Sequence, residues 1–278
     1  MSDDDQSSNL LYHYTTTQGL IGILESDCLW ATDVRFLSDA SEASYGREVA
    51  VEALGVAIEA AQNEQRLLSL KIAADYFTDE LGPDTSSIVV CFSEQPDHLS
   101  QWQAYGRGGG FAIGFDRSNL ERPRTPAHRH PFKRDARPFQ LVPVIYDRAA
   151  QLRAAAETIR EHLDHPKMTN FGPGEELVGA LFPQVAVFKN AAFEEEREWR
   201  AMTDVIVNFY PLKFRPSSWG PVPYGTFPLR VADSVESPIR EVRVGPSAHP
   251  DTVRTGVQLL LKSHDLDVPV ISSEVPLR

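Results

Sequence analysis

Leu10-Leu11-Tyr12-His13-Tyr14-Thr15, then Leu20, Ile21, Ile23 and Leu24 at helical spacing, then Leu29-Trp30-Ala31-Thr32, set the first decision about the fold. The opening run is apolar and aromatic, which suits a strand. Thr16 or Thr17 starts a short helix, and residues 29–32 form a second extended piece. A further buried-type strand is expected at Ser87–Ser93 (SIVVCFS) and another at Phe111–Phe115. More strands read at Phe139–Tyr146, Phe209–Phe214, Thr226–Ala232, Glu241–Val244 and Val268–Val275. Helical periodicity runs from Asp39, which has capping-box spacing to Glu42, to about Ala61, and again from Leu67 to about Leu81. Leu99–Tyr105, Arg148–His165, Glu175–Phe188 and Thr252–Ser263 are the other helices. Strands and helices do not alternate regularly, so the expectation is an α+β chain rather than a doubly wound parallel sheet. No Walker or Rossmann glycine motif is present, since Gly108–Gly110 lacks the strand-to-helix context such motifs need.

The chain has 278 residues, 42% of them hydrophobic and 24% charged, enough for one large core. No composition shift divides it, so residues 10–278 are read as a single domain with a helical insertion at about 40–81. Met1–Asn9 is read as a disordered polar tail without the apolar segment of a secretory signal. No apolar run approaches a membrane span, so a cytoplasmic protein is expected. The net charge of -12 repels a phosphate backbone and disfavours extended nucleic-acid binding and anionic membranes. Cys28 and Cys91 belong to no CxxC pair, and no metal-ligand spacing occurs, so both read as reduced core thiols.

Four groups of residues have chemistry to offer. On a strand, His13 and Thr15 share a face with Leu11, while Tyr12 and Tyr14 share the other. His13 suits either a ribose hydroxyl or a backbone partner at the edge of the core. In Phe193–Arg200 (FEEEREWR), an extended chain puts Glu196, Glu198 and Arg200 on one face. Paired carboxylates there would oppose positive charge at an anomeric carbon. The same run is also a good helical sequence, and the residues leave both readings open. Ser93 lies where a buried strand emerges, followed by Trp102 and Tyr105 on one helix face. These two rings would flank a flat ligand or belong to the core. Trp30 and Tyr45, with Ser38, Asp39 and Glu42 between them, would stack a cationic ring or, taken singly, belong to the core.

Taken in order, LYHYT, LWAT with SDASE, FSE, WQAYG before GFAIGFD, and ExEWR resemble a bacterial family of domains of unknown function often encoded near phage-defence genes. The resemblance extends from about residue 10 to the C-terminus. That family is in turn distantly similar to ADP-ribosyltransferases of the His-Tyr-Glu type. The resemblance implies a mixed or antiparallel two-sheet core with peripheral helices, with NAD as substrate and a macromolecule or water as acceptor. It implies that His13 positions NAD, that Trp30 and Tyr45 wall the nicotinamide, and that Glu198 stabilises the oxocarbenium-like state while Glu196 orients the acceptor. Ser93 and Tyr105 would line the same pocket, and Arg200, Arg107 or Arg35 would meet the pyrophosphate. All of this requires His13 and Glu198 to line one cavity. A non-enzymatic module sensing a nucleotide or phage component is the competing expectation, with ExEWR as an ion-pair ladder. A metal-dependent nuclease using Glu196, Glu198, Asp39 and Glu42 is the third.

Overall fold

The structure is a computed structural model. It describes residues 9–37, 40–78, 85–105, 109–124, 138–165, 172–206, 212–218, 220–231 and 236–276. In chain order the elements are β1 (Leu10–Thr16), α1 (Thr17–Ser26), β2 (Cys28–Asp33), α2 (Ala40–Glu59), α3 (Glu64–Thr78) and β3 (Thr85–Ser93). Then come α4 (Leu99–Tyr105), β4 (Gly110–Asp116), α5 (Arg117–Leu120), β5 (Gln140–Pro143), α6 (Arg148–Asp164) and α7 (Pro173–Val185). The chain continues with β6 (Glu198–Ile206), β7 (Lys213–Ser217), β8 (Gly220–Pro228), β9 (Ile239–Val244), α8 (Pro250–Ser263) and β10 (Val270–Ser272). The α+β expectation therefore describes the chain. The capping-box pair Asp39 and Glu42 lies outside the residues whose side chains are described.

The expected two-sheet core is instead one hydrogen-bonded network of ten strands. Its main path runs β10-β9-β4-β1-β3-β2-β8-β7, and β6 and β5 branch from β3. All pairs are antiparallel except β9 with β10. The branch arises because β3 shares one edge between two strands. β1 meets it at Tyr12–Ser93, near its end, and β2 meets it at Thr32–Val89 and Asp33–Ile88. Between those points β1 and β2 diverge and leave a split. The other edge of β3 is paired to β6 along its whole length.

Alternation on the strands sends the two faces to different partners. On one face Leu11, Leu29, Ile88, Val90, Phe92, Ile113 and Ala201 pack with Leu20, Ile23 and Leu24 of α1 and Val257 and Leu261 of α8. Thr16 caps α1, its side chain accepting from the Gly19 amide. On the opposite face, Val89 and Met202 meet α2, α3, α6 and α7 through Leu54, Leu70, Ile159 and Phe182. Beyond the helical layer, Tyr12, Tyr14, Ala112 and Trp102 form a smaller cluster under α4. Asp97 ties that cluster to the C-terminal segment. It accepts from the Trp102 indole at 2.6 Å and the Glu274 amide at 2.7 Å, and from the Ser273 hydroxyl.

Candidate active site

The split exposes the edge of β3 around Cys91. His13 Nδ1 lies 2.9 Å from the Cys91 carbonyl oxygen. A carbonyl only accepts, so Nδ1 carries the hydrogen and Nε2 presents a lone pair. Burial pushes the imidazole below its ordinary pKa and keeps it neutral, outweighing the Cys91 bond. The side chain thus satisfies a backbone group that the divergence of β1 and β2 would leave unpaired. The opposite wall carries Trp30, 49% exposed, with its ring 4.7 Å from that of Tyr224 on β8. α1 links the two walls and closes the split on the side of Leu11.

Across β3, Ser93 faces Glu198, the first residue of β6. Glu198 is 6% exposed and its carboxylate is bound by two cations. Lys189 Nζ stands 2.8 Å from Oε2; Arg200 Nε stands 2.6 Å from Oε1, and Nη2 is 3.0 Å from Oε2. Burial alone would raise this carboxyl, but Arg200 and then Lys189 outweigh it and bring it down to about 2. Lys189 Nζ also donates to Glu196 at 2.7 Å, so among the described residues Lys189 bridges the two carboxylates and Arg200 holds Glu198 from its other side. The Tyr146 hydroxyl accepts from the Glu198 amide at 2.9 Å. A cavity of about 540 Å³ opens at this strand end, against Glu94, Tyr146, Glu194, Glu198 and Trp199. A larger cavity of about 860 Å³ lies among α2, α3 and α6, against Ala57, Leu70, Ile159 and Leu163. Its lining also carries Glu52, Arg66, Arg160 and Asp164, each in a surface ion pair, and it holds none of the sequence-predicted site residues, so it is not the candidate site.

The structure corrects several sequence expectations. Glu196 is not on a strand: Ala191–Glu196 forms a 3₁₀ turn capped by the Asn190 side chain, and Arg197 follows at φ 43 before β6 begins. Both readings of FEEEREWR hold, each over half of it. Arg200 shares a face with Glu198 but does not face a phosphate. It is 1% exposed, and its donors lie on Glu198 and, at 2.6 Å, the Ala186 carbonyl. Tyr45 does not join Trp30. Its hydroxyl donates to Gln151 on α6 at 2.9 Å, with the Arg148 guanidinium over its ring. The Ser93 hydroxyl donates to the Glu196 carbonyl at 2.6 Å and accepts from the Gln95 amide at 2.9 Å, which fastens the turn to β3 rather than opening to a ligand. Trp102 is core, while Tyr105 is 38% exposed at the end of α4. Arg35 is held by both oxygens of the buried Asp33, and Arg107 lies outside the described residues.

His13 and Glu198 reach the same end of the sheet, in the row Tyr12–Ser93–Glu198. By strand alternation they leave it on opposite faces, His13 on the side of Leu11 and Glu198 on the side of Arg200 and Met202. His13 does not line the cavity at Glu198, so the expectation that the two line one cavity is not met. Trp30 leaves β2 on the Glu198 side, because Thr32 beside it is paired with Val89. The sequence reasoning missed Lys189, Tyr146, Asp33 and Tyr224. Lys189 sits in an ordinary FKN run, and nothing local marks its 4% exposure.

Fold and site together define an α+β protein with a neutral imidazole and an exposed indole on the two walls of a split sheet, and a buried ionised carboxylate on the next strand. A family model described as a protein of unknown function, DUF2971, matches residues 101–201. No curated protein matches the chain. Among solved structures, Thermus sp. 2.9 DarT in complex with ADP-ribosylated ssDNA is similar at 15% identity. That likeness covers 96% of this chain and 94% of that one, with a TM-score of 0.34. At that TM-score it carries no inference about chemistry. Among the described residues, no helix is long and apolar enough to cross a membrane, and no three His, Cys, Asp or Glu side chains are grouped to hold a metal ion.

Proposed function

We propose that the chain is an ADP-ribosyltransferase-like enzyme that binds NAD at the split and cleaves the nicotinamide–ribose bond. The observation that carries this reading is the half-exposed Trp30 on β2, beside the split and on the same face of the sheet as the ionised Glu198. Trp30 stacks the cationic nicotinamide ring. His13, at the edge of β3 within the split, accepts a hydrogen bond from a ribose hydroxyl through the split rather than from the Glu198 face. As the C–N bond breaks, its electron pair leaves with nicotinamide and the ribose carbon becomes cationic. Glu198, ionised at all physiological pH, opposes that charge, and one such group is worth roughly 3 kcal/mol. A macromolecular nucleophile or water then takes the ribose carbon. Glu196, 21% exposed, borders the acceptor side. A carboxyl at about 2 cannot deliver a proton at neutral pH, so Glu198 acts through its charge alone.

One observation favours a second reading. Among the described residues Glu196 and Glu198 are each held by a buried cation, which suits a structural ion-pair ladder under a nucleotide-sensing surface. Incubation with NAD separates the two. Nicotinamide release that is abolished in a folded Glu198→Gln protein is the expected result. Release at the wild-type rate in that variant removes the catalytic role, and binding of NAD without any release selects the sensor.

A further inference from the structure

Arginines near the split differ in one respect, whether a carboxylate already holds them. Arg35 and Arg200 are paired with Asp33 and Glu198. Arg215, on β7, has no carboxylate partner among the described residues. Its Nε is buried without any hydrogen-bond partner, and Nη2 reaches only the Thr32 hydroxyl at 3.4 Å. A buried guanidinium nitrogen with no acceptor among the described residues, in a chain with 39 acidic and 27 basic residues, is a donor suited to an anionic ligand.

Register puts this group beside the indole. Tyr224 on β8 is opposite both Thr32 on β2 and Lys213 on β7, while Val222 is opposite Arg215. Directly opposed residues share a face, so Trp30, Thr32, Tyr224, Lys213 and Arg215 all project from one side of the β2–β8–β7 wing. The face therefore runs from a half-exposed indole, over a tyrosine ring in contact with it, to two cations with no acidic partner among the described residues. That order matches a nucleotide's own order of ring, sugar and phosphate. Flat rings stack on the aromatics, and guanidinium takes phosphate by charge-assisted hydrogen bonds.

We propose that this face holds the pyrophosphate of the dinucleotide, with Arg215 as its anion-binding residue and Tyr224, not Tyr45, as the second aromatic wall. The proposal rests on the NAD reading for the identity of the ligand. Its test uses ADP-ribose, which keeps the phosphates and lacks the scissile bond. Wild-type protein binds ADP-ribose, read by calorimetry and by quenching of tryptophan fluorescence. Arg215→Gln weakens that binding by roughly tenfold or more, the loss of one charged hydrogen bond. Arg215→Lys recovers part of it, because the charge stays and the fork is lost. With NAD, Arg215→Gln raises KM by a similar factor and leaves kcat unchanged. Tyr224→Leu, on a neighbouring strand, raises KM for NAD while leaving ADP-ribose affinity near wild type, because ADP-ribose lacks the nicotinamide that this ring walls. Equal affinity in wild type and Arg215→Gln, or no binding of ADP-ribose by wild type, overturns the proposal. Binding through Arg215 without nicotinamide release overturns the catalytic reading and leaves this one standing. Release with KM unchanged in Arg215→Gln does the reverse.

Discussion

Replacing Glu198 with Gln removes one charge from a buried cluster and almost no volume, so its effect on stability isolates electrostatics. In the folded chain the carboxyl is held at about 2, against an ordinary value of 4.5. Depression of the folded-state pKa means that the stabilisation is fully present above about pH 5 and is lost as pH falls through the folded value. The difference corresponds to on the order of 3 kcal/mol at neutral pH. With the group 6% exposed, solvent screening removes little of it. Between about pH 5 and pH 3 the gap between wild type and Glu198→Gln should narrow by roughly 2 kcal/mol, because wild type loses its advantage while the variant never had it. Urea unfolding at a series of pH values, extrapolated to water, measures both. A gap that stays constant over that range would show that Lys189 and Arg200 do not hold this carboxylate ionised, and the reasoning would be refuted.

Lys189→Met should destabilise the chain by about 3–5 kcal/mol, since it takes away the cation that Glu196 and Glu198 share, and Lys189→Arg should recover part of the loss. Thermal melts of the two variants check this. Gly46→Ala should lower the melting temperature by an amount corresponding to roughly 1–3 kcal/mol. A Cβ at Gly46 on α2 would lie 2.4 Å from the Val185 carbonyl oxygen, a backbone atom that no rotamer change can move aside.

Local pattern made most elements legible. The alternation in LYHYT put His13 on the Leu11 side and the tyrosines on the other, and Tyr12 and Tyr14 do form their own cluster. The run FEEEREWR offered a helix and a strand at once, because its glutamates favour a helix while EWR lies beside β3. The chain resolves it with the left-handed residue Arg197 at the junction, which no propensity specifies. The partners of the site residues were the illegible part. Trp30 meets Tyr224 only because β2 pairs with β8, and Glu198 meets Lys189 only because the 3₁₀ turn folds back on β6. Both depend on contacts set by the whole sheet. Arg200 was misjudged for the same reason: nothing in EWR reveals that the Ala186 carbonyl waits for its guanidinium.

The shared edge of β3 has a mechanical corollary. β1, β4, β9 and β10 form one wing and β2, β8 and β7 another; among the described residues their strands are hydrogen-bonded to one another only through β3, with α1 packed across both. Twisting one wing about β3 would widen or narrow the mouth while leaving every ladder inside each wing intact. The sole strand pairing to yield on the first wing's side is Tyr12 with Ser93, backed by the His13 imidazole. The molecule is thus built like a book whose spine is a single strand, with a histidine as the clasp beside it.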